Sequence, residues 1–400
     1  MSGAGKVAIY LPDLSGGGAE RLHVQLAPAL ESLGYAVRFV LDRPGGALEG
    51  LLPSTIARFV LGGRRQLAAL PRLVRYLRQD RPDILVGNME HMNVMAVLAR
   101  RLARVPTRVV VTQHNAFSEQ VKRASWQWRV LPPLYRAILP RADAVVAVSA
   151  GVADDLAERT GFPRDAISVI HNGVIDHGFF SRAAEEPQHR WFAEGRRVIV
   201  GMGRLVAQKD FATLVRAFAL APQDTRLLIL GEGPQRAELE ALAASLDLAG
   251  RVDMPGFLSN PLPFLRKASL FVLSSRFEGF GNVVAEALAL GTPVVSTDCP
   301  HGPAEILQAG RFGLLVPPGD SEALGVAITH ALAAVPDHEA LSERGRHFSV
   351  SACAQAYSEL WEGLGAGAAR FGAQEAGASA RFAVVDGSTD LQSGERGHAL

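Results

Sequence analysis

The chain has 400 residues, of which 48% are hydrophobic and 20% charged, a composition that suits two globular domains. No stretch offers the roughly 18 uninterrupted apolar residues of a membrane-spanning helix, and the N-terminus lacks the apolar core of a signal peptide. The two cysteines, Cys299 and Cys353, imply neither a disulfide framework nor a metal cluster. We therefore expect a cytoplasmic protein without a metal site.

The net charge of +1 conceals an asymmetry between the two halves. Residues 1–182 carry 23 Lys and Arg against 15 Asp and Glu, whereas the remainder carries 18 against 25. A basic first half favours an anionic ligand or surface, although uneven solvated charge explains the numbers equally well. No nucleic-acid-binding motif accompanies the basic residues, so a nucleic-acid partner is disfavoured.

Strand and helix patterns alternate from the N-terminus onward. The apolar run Lys6–Leu11 predicts a buried strand, and Glu20–Leu33 predicts a helix that ends at Gly34. Further strands are predicted at Ala36–Leu41, Asp83–Val86, Arg108–Thr112 and Ala144–Val148, and helices at Gln66–Gln79, Met92–Arg104, Gln120–Ile138 and Ala150–Thr160. This alternation indicates a parallel sheet that helices cover on both faces.

The polar stretch Ser181–Gly195 interrupts the pattern and is typical of an interdomain linker. Strands are then predicted at Arg197–Gly201, Arg226–Leu230, Val252–Met254, Leu270–Leu273, Pro293–Ser296 and Gly313–Val316. Helices are predicted at Phe211–Leu220, Arg236–Leu246, Val283–Leu290, Ala304–Gln308, Ser321–Ala334 and Ser349–Gly363. The fold class is therefore α/β, with two Rossmann-like, parallel-sheet domains.

The domain boundaries follow from the same pattern. We expect the first domain at residues 1–182, a linker at 183–195 and the second domain at 196–348. The helix at 349–364 is expected to pack back on the first domain. Residues 365–400 are predicted to form a disordered tail, because they are rich in Gly, Ala, Ser, Gln and Arg and show little periodicity.

Ligands of open α/β sheets bind beyond the carboxyl ends of the strands, and each candidate motif falls there. In the glycine-rich turn Ser15–Arg21, Gly17 and Gly18 would let backbone N–H groups approach a phosphate or a sugar. A turn without a ligand is the alternative. His114 closes a predicted strand, where it would donate to a sugar hydroxyl or serve only as a structural histidine. His171-Asn172-Gly173 indicates chiefly a turn.

The stretch Gly203–Asp210 places two cations after the first strand of the second half. Arg204 can fork onto two phosphate oxygens and Lys209 adds a compact charge, so the pair suits a diphosphate. If the diphosphate is a leaving group, these charges stabilise the negative charge that develops on it. A solvated loop with ordinary ion pairs is the alternative.

The stretch Ser275–Glu286 carries two carboxylates, Glu278 in a glycine-bounded loop and Glu286 in the first turn of the next predicted helix. Ionised carboxylates accept hydrogen bonds from the paired hydroxyls of sugars and riboses. A surface position without a role is the alternative. Farther on, Cys299 and His301 lie two residues apart on a turn without an acidic partner, so a thiol enzyme is disfavoured.

These motifs together resemble glycosyltransferase family 4: GRLVAQKD, the two glutamates eight residues apart in EGFGNVVAEALALGTPVVSTD, and HNGV. SGGGAER and CPHGPAEIL resemble its glycan-building members, and the likeness covers about Val7–Leu364. The resemblance implies a GT-B fold, with the acceptor mainly on the first domain and the donor mainly on the second. It further implies a retaining hexosyltransferase that uses a nucleoside-diphosphate sugar, with UDP as the expected carrier, and that requires no metal or other cofactor.

The same resemblance implies a role for each motif residue. Arg204 and Lys209 would bind the donor diphosphate, and Glu286 would hold the ribose hydroxyls. Glu278 and His114 would lie near the transferred sugar. The residues implied in catalysis are Arg204, Lys209, Glu278 and His114, and those implied in donor binding are Gly17, Gly18, Gly203, Arg204, Lys209, Gly281, Asn282 and Glu286.

A membrane partner is suggested by the segment Arg64–Arg81, which holds six arginines and one acid. Its apolar residues, from Leu67 to Leu77, share one side, a pattern typical of a helix lying on an anionic membrane. Packing on the sheet with solvated arginines is the alternative. A second cluster, Lys122–Arg129, combines cations with two tryptophans. We therefore expect peripheral attachment at the inner face of the plasma membrane, with a glycan or a polyprenyl-diphosphate-linked glycan as acceptor.

Two other functions remain open from the residues alone. A nucleotide-sugar epimerase shares the fold and the donor, but it needs no separate acceptor and no acid–base constellation is evident. A noncatalytic nucleotide-sugar-binding subunit would be expected to lose Arg204, Lys209 or Glu286, and all three are present.

Overall fold

The computed structural model describes residues 5–62, 69–122 and 131–366, and parallel strands form two sheets within them. The strands are β1 (Lys6–Leu11), β2 (Ala36–Leu41), β3 (Ala57–Val60), β4 (Ile84–Gly87), β5 (Arg108–Gln113), β6 (Ala144–Ala147), β7 (Ile167–Val169), β8 (Arg197–Met202), β9 (Thr225–Leu230), β10 (Val252–Gly256), β11 (Leu270–Leu273), β12 (Val294–Thr297) and β13 (Leu314–Val316). The first sheet has the order β3-β2-β1-β4-β5-β6-β7, and the second has the order β10-β9-β8-β11-β12-β13. The predicted fold class, two parallel-sheet α/β domains, is confirmed.

Helices connect the strands and cover the sheets. They are α1 (Gly18–Ser32), α2 (Leu70–Asp80), α3 (Glu90–Ala103), α4 (Phe117–Lys122), α5 (Leu131–Ile138), α6 (Ala150–Thr160), α7 (Phe179–Ala183), α8 (Arg190–Ala193), α9 (Phe211–Phe218), α10 (Arg236–Ser245), α11 (Leu262–Lys267), α12 (Asn282–Ala289), α13 (Pro303–Ile306), α14 (Ser321–Ala333), α15 (His338–Arg346) and α16 (Val350–Gly363). Short 3₁₀ turns lie at Glu49–Leu51, Leu139–Arg141 and Arg164–Ala166.

The strands predicted from the sequence agree with the structure to within two residues at each end. The helix predicted at Gln120–Ile138 overlaps α4 and α5, and residues 123–130 between these two lie outside the described residues, as do residues 63–68 before α2. Six elements, β3, β7, α7, α8, α11 and α15, have no counterpart among the predicted ranges. All four residues of β3 are exposed and α15 buries only Gly345, so neither shows an apolar periodicity.

Apolar packing joins the two sheets. One core cluster lies beneath α2, α3, α5 and α6 and continues through Phe179 to Phe271 of β11 and Leu288 of α12. Trp191, which lies within the predicted linker, belongs to the same cluster and is 3% exposed. The segment between the sheets therefore contributes a buried side chain to the core.

The last described helix, α16, packs on α1 and the strand that follows it. The Trp361 ring meets the Tyr35 ring edge-on at 5.1 Å, and the Tyr35 hydroxyl lies 2.9 Å from the Ser358 hydroxyl. The chain re-enters the first domain just before this helix, where the Val350 N–H donates to the Ile175 carbonyl at 2.9 Å. Of the tail predicted at 365–400, residues 367–400 lie outside the described residues.

Candidate active site

The glycine-rich turn leads directly into α1. Gly17 caps this helix without a side-chain hydrogen bond, so its first-turn N–H groups remain available to a ligand. Glu20 folds back against the turn, and a β-carbon on Gly17 would overlap the Oε2 atom of Glu20. Glu20 is buried, its Oε2 atom has no partner among the described residues, and burial raises the pKa of its carboxyl. A side chain at position 17 would therefore have to displace the carboxyl group of Glu20.

A cavity of about 550 Å³ lies between the two domains, at the carboxyl ends of both sets of strands. Of the predicted site residues, it is lined by Gly18, Gly203, Arg204, Asn282 and Glu286. Gly17, His114, Lys209, Glu278 and Gly281 lie outside its lining. The structure thus brings the turn before α1 and two motifs of the second half to one cavity, as the placement at strand ends predicted.

Arg204 and Lys209 both follow β8, but their surroundings differ. Arg204 is exposed and lines the cavity, and its guanidinium has no hydrogen-bond or ion-pair partner among the described residues. Lys209 is largely buried, and its Nζ donates to Oε1 of Glu278 at 2.5 Å. The Ser275 hydroxyl donates to the same oxygen at 2.5 Å. The motifs therefore supply one open cation and one cation that a buried carboxylate compensates.

Of the two glutamates, Glu278 and Glu286, Glu286 is the one that lines the cavity. Because α12 begins at Asn282, one residue earlier than predicted, Glu286 stands in the second turn of the helix and not in the first. Burial raises its pKa to about 7, while Arg21 and Arg182 of the first domain act in the opposite direction. Its side chain lines the cavity, so a ligand there can reach a carboxyl that titrates near neutral pH.

Polar contacts tie the loop before α12 to the first domain. The Ser149 hydroxyl donates to the Gly279 carbonyl at 2.7 Å, and the Asn172 amide donates to Oδ1 of Asn282 at 2.9 Å. Gly281, in the left-handed conformation with φ of 96°, caps α12. The loop that carries Glu278 is therefore fixed from both sides.

Glu305 makes a second connection between the domains. Its Oε2 accepts from the Ala150 N–H at 2.8 Å, at the start of α6, and its Oε1 lies 2.5 Å from Nε2 of His171. His171 and Asn172, which the sequence indicated chiefly as part of a turn, therefore contact the second domain directly. The sequence indicated this contact between the domains only weakly, because an Asn-Gly pair is common in turns.

His114 follows β5 and meets both domains. Its Nε2 lies 3.4 Å from Oδ1 of Asn88, and its ring meets the His23 ring edge-on at 5.5 Å. A β-carbon on Gly279 would overlap the His114 carbonyl oxygen, so the Glu278 loop passes directly against His114. Burial, with a smaller contribution from His23, lowers the pKa of His114 to about 3. The imidazole is therefore neutral at physiological pH.

Several cavity residues were missed by the sequence analysis. Arg21 lies in the quoted glycine-rich motif but received no role, and Arg182 lies near the predicted domain boundary. The loops after β9 and β10 contribute Glu232 and the stretch from Phe257 to Pro261. The strand-end rule, applied to these two strands as well, would have found both loops. Nothing in the local sequence marks Arg182.

Cys299 has no sign of nucleophilic chemistry. It is 3% exposed, and burial raises the pKa of its thiol to about 12. His301 lies instead beside Gly151 of the first domain, because a β-carbon on Gly151 would come 2.9 Å from its Nδ1. No hydrogen bond joins Cys299 to His301 in the described part of the chain.

The apolar face of α2 is not a free surface, which corrects the interpretation of this helix. Leu73 and Leu77 are fully buried in the first-domain core, and Arg72 and Arg78 donate to backbone carbonyls of neighbouring segments. The described part of this segment thus follows the alternative, a helix packed on the protein. The start of the segment and the tryptophan cluster fall on residues outside the described ranges. No described helix is long and apolar enough to cross a membrane.

Two parallel-sheet domains face each other across this cavity, with a glycine turn on one side and cations and carboxylates on the other. The crystal structure of Anabaena HepE in complex with UDP-glucose has the same architecture, with a TM-score of 0.73 at 23% identity over 90% of this chain and 100% of HepE. The fold is GT-B.

Sequence comparison gives the family. A profile described as Glycosyltransferase Family 4 matches residues 16–177, and one described as Glycosyl transferases group 1 matches residues 183–348. A Campylobacter jejuni relative, N-acetylgalactosamine-N,N'-diacetylbacillosaminyl-diphospho-undecaprenol 4-alpha-N-acetylgalactosaminyltransferase, is 30% identical over 324 residues, 78% of this chain and 86% of the relative. The lipopolysaccharide core biosynthesis glycosyltransferase LpsE of Rhizobium meliloti is 30% identical over 365 residues, 86% of this chain and 95% of LpsE. The chain belongs to glycosyltransferase family 4.

Proposed function

We propose that this glycosyltransferase moves a sugar, with retention of anomeric configuration, from a UDP-sugar to a lipid-linked or lipopolysaccharide-type glycan. The observation that carries the proposal is the interdomain cavity, which brings the Gly18 turn, Arg204 and Glu286 together. A diphosphate beside Arg204 would place its nucleoside toward Glu286, whose carboxylate would accept hydrogen bonds from ribose hydroxyls.

The proposed chemistry needs positioning and charge stabilisation. The acceptor hydroxyl oxygen forms the new bond to the anomeric carbon as the bond to the UDP oxygen breaks, and the hydroxyl proton passes to the departing phosphate. Arg204, which lines the cavity, offsets the negative charge that develops on that phosphate. Since a side chain supplies this charge, we expect activity to persist in EDTA. Attack on the same face requires close positioning of acceptor and donor, and contacts between the domains such as Asn172 to Asn282 support such positioning.

The relatives support the substrate classes. The Campylobacter relative is named for a diphospho-undecaprenol acceptor, and LpsE is named for lipopolysaccharide core biosynthesis. HepE was crystallised with UDP and with UDP-glucose. We therefore propose UDP as the nucleotide and a membrane-anchored glycan as the acceptor.

Attachment to an anionic membrane surface is part of this proposal. Arg75 on α2 and Arg101 on α3 are exposed and have no ion-pair partner among the described residues. Flotation of the full chain with phosphatidylglycerol vesicles tests this: we expect binding at low salt that is lost at high salt and weakened by Arg75→Gln/Arg101→Gln. No binding at low salt would refute the attachment.

The transfer itself is tested with purified full-length protein. A panel of UDP- and GDP-sugars is incubated with detergent-solubilised polyprenyl-diphosphate glycans and lipopolysaccharide cores, and nucleotide release and product mass are followed. We expect release that depends on the acceptor, and an unchanged anomeric configuration in the NMR spectrum of the product. Conversion of the donor without acceptor would establish the epimerase instead. Donor binding without product from any acceptor would favour a noncatalytic subunit.

A further inference from the structure

We propose that Asn88 and His23 are positioning residues that hold His114 as a neutral imidazole with its proton on Nε2, so that the Nδ1 lone pair accepts a hydrogen bond from the sugar being transferred. This inference rests on the proposed function, because it concerns the contact of His114 with the donor sugar. Its two residues, Asn88 and His23, lie outside the motifs discussed above.

The amide of Asn88 fixes the proton on His114. Asn88 is fully buried, and its Nδ2 donates to two backbone carbonyls, that of Val86 at 3.2 Å and that of Tyr10 at 3.4 Å. A carbonyl can only accept, so the NH₂ group must face these two and Oδ1 must face His114 at 3.4 Å. Since Oδ1 can also only accept, Nε2 of His114 carries the hydrogen.

The other ring nitrogen is left for a ligand. Nδ1 of His114 has no hydrogen-bond partner among the described residues and is not among the buried polar atoms that lack one. It is therefore not completely enclosed by the protein. The backbone of His114 is held by Gly279 of the second domain, which approaches the His114 carbonyl too closely for any side chain. A neutral ring in this tautomer offers one acceptor, Nδ1, and a sugar hydroxyl offers a donor.

His23 fixes the plane of the ring without adding charge. Its Nδ1 lies 2.8 Å from the Ala19 carbonyl, which only accepts, so His23 carries its proton on Nδ1. The two rings are nearly perpendicular, at 82°, with centroids 5.5 Å apart. His23 is 1% exposed, and burial lowers its pKa to about 4. The His23 ring that contacts His114 is therefore uncharged.

Among the titratable groups of the described residues, His23 is the one that shifts the pKa of His114, and it lowers that pKa. On α1, the carboxyl of Glu20 has its pKa raised by burial, and on α3 the same holds for Glu90, two residues after Asn88. His91, the next residue, has its pKa lowered by burial. Glu278, beside Gly279, is paired with Lys209. Asn88 is thus the polar partner of the ring, and a carboxylate in its place would change the charge of His114.

The first measurement is an NMR spectrum of the full chain labelled with ¹⁵N-histidine, with the His114 signals assigned by loss in His114→Gln. We expect Nε2 to be protonated and Nδ1 to be unprotonated. Because the pKa of His114 is lowered to about 3, neither nitrogen should titrate between pH 5.5 and pH 8. This arm needs no substrate, so it stands or fails apart from the transferase assay. An unprotonated Nε2, or titration within this range, would overturn the proposal.

The second measurement is the pH profile of kcat in two Asn88 variants. Asn88→Asp places a carboxylate at Nε2, which stabilises the imidazolium. A rise of up to about three units would bring the pKa of His114 from about 3 to about 6. We therefore expect an acid limb absent from the unsubstituted enzyme, with kcat at pH 5 up to about tenfold below that at pH 8. Asn88→Ala should lose activity without acquiring that limb. If both variants follow the wild-type profile, Asn88 does not set the protonation of His114.

The third measurement distinguishes the effect of the position of the His114 ring from the effect of its contact with the sugar. His23→Phe keeps an aromatic edge and should retain activity within about threefold, whereas His23→Ala should lower kcat by about tenfold with little change in the affinity for UDP. His114→Phe, which lacks Nδ1, should lower kcat by at least about tenfold while UDP still binds. Full activity in His114→Phe would overturn the sugar contact, even if the NMR result held.

Discussion

The two edges of the cleft differ in how they present polar groups. The first-domain edge combines neutral groups with two arginines. The neutral groups are the glycine turn before α1, Asn88, and the imidazoles of His23 and His114, with pKa values lowered to about 4 and about 3, and the arginines are Arg21 and Arg182, which line the cavity. The second-domain edge holds charged groups: the open guanidinium of Arg204, the buried pair of Lys209 and Glu278, and Glu286 with a pKa near 7. Neutral donors and acceptors suit hydroxyls, whereas fixed charges suit a diphosphate.

Within the second edge a further difference separates sealed from open charges. Lys209 and Glu278 pair with each other, whereas Arg204 and Glu286 face the cavity without a hydrogen-bond or ion-pair partner among the described residues. Sealed charges stabilise the loop geometry, and open charges are available to a ligand. The comparison therefore predicts large stability effects at the first pair and functional effects at the second.

The largest expected effect is on stability, at Glu278. Glu278→Leu leaves the Lys209 ammonium largely buried without its carboxylate, which should lower the free energy of unfolding by about 3–5 kcal/mol. Urea unfolding measures this. The double variant Lys209→Met/Glu278→Leu removes both charges and should recover much of the loss. The exposed pair of Lys267 and Glu186 is the matched control: Glu186→Leu should cost less than about 1 kcal/mol. Equal losses at the two sites would contradict a stabilising role of the pair of Lys209 and Glu278.

The next effect is catalytic, at Arg204. Arg204→Ala removes an open cation that we place at the leaving phosphate, and kcat/KM should fall by about 10²–10³ with little change in stability. Arg216 on α9 is exposed, lies outside the cavity and has no ion-pair partner among the described residues, so Arg216→Ala is the control and should leave kcat/KM within about twofold. A similar loss in both variants would show that the effect is not local.

The sealed and open charges also mark what the sequence could and could not predict. The strands and their order of alternation follow from apolar runs, and placing motifs at strand ends correctly brought Gly18, Arg204 and Glu286 to one cavity. The pairing of Lys209 with Glu278 joins residues 69 positions apart, and it depends on loop conformations that no local pattern encodes. Arg182 reaches the cavity from α7, near the boundary between the domains.

The misread helix α2 has a different cause. A helix that packs on a sheet and a helix that lies on a membrane both need one apolar face, so the spacing of Leu73 and Leu77 is the same in either case. Only the burial of these side chains decides between them. The missed strand β3 shows the reverse problem, because an exposed edge strand has no buried face to create a pattern.

A smaller effect is expected on the pH dependence of donor binding. Glu286 has a folded pKa of about 7, above its ordinary 4.5, so the fold stabilises its neutral form and loses that contribution as the pH rises through 7. Binding of ribose hydroxyls by the carboxylate favours the ionised form, so affinity should rise with pH. Calorimetry with UDP-glucose, whose diphosphate does not titrate in this range, should give about tenfold weaker binding at pH 6 than at pH 8. Glu286→Gln should bind more weakly at pH 8 and show no such slope; a slope that persists would assign it to another group.

The smallest effect is expected at the two cysteines, of which one lies in the second domain and the other packs against the first domain. Cys299 follows β12 near the Glu278 loop, and Cys353 lies on α16 against the first domain; both are buried, and burial raises the pKa of each thiol to about 12. At pH 7 only about one thiol in 10⁵ would be ionised, so neither is a nucleophile. Cys299→Ala and Cys353→Ala should each keep kcat/KM within about twofold, and the folded protein should resist alkylation by iodoacetamide. Because the two sites are matched in burial and pKa, a loss of activity confined to Cys299→Ala could not be attributed to general destabilisation. It would mean that the second-domain edge works through a thiol as well as through Arg204 and Glu286.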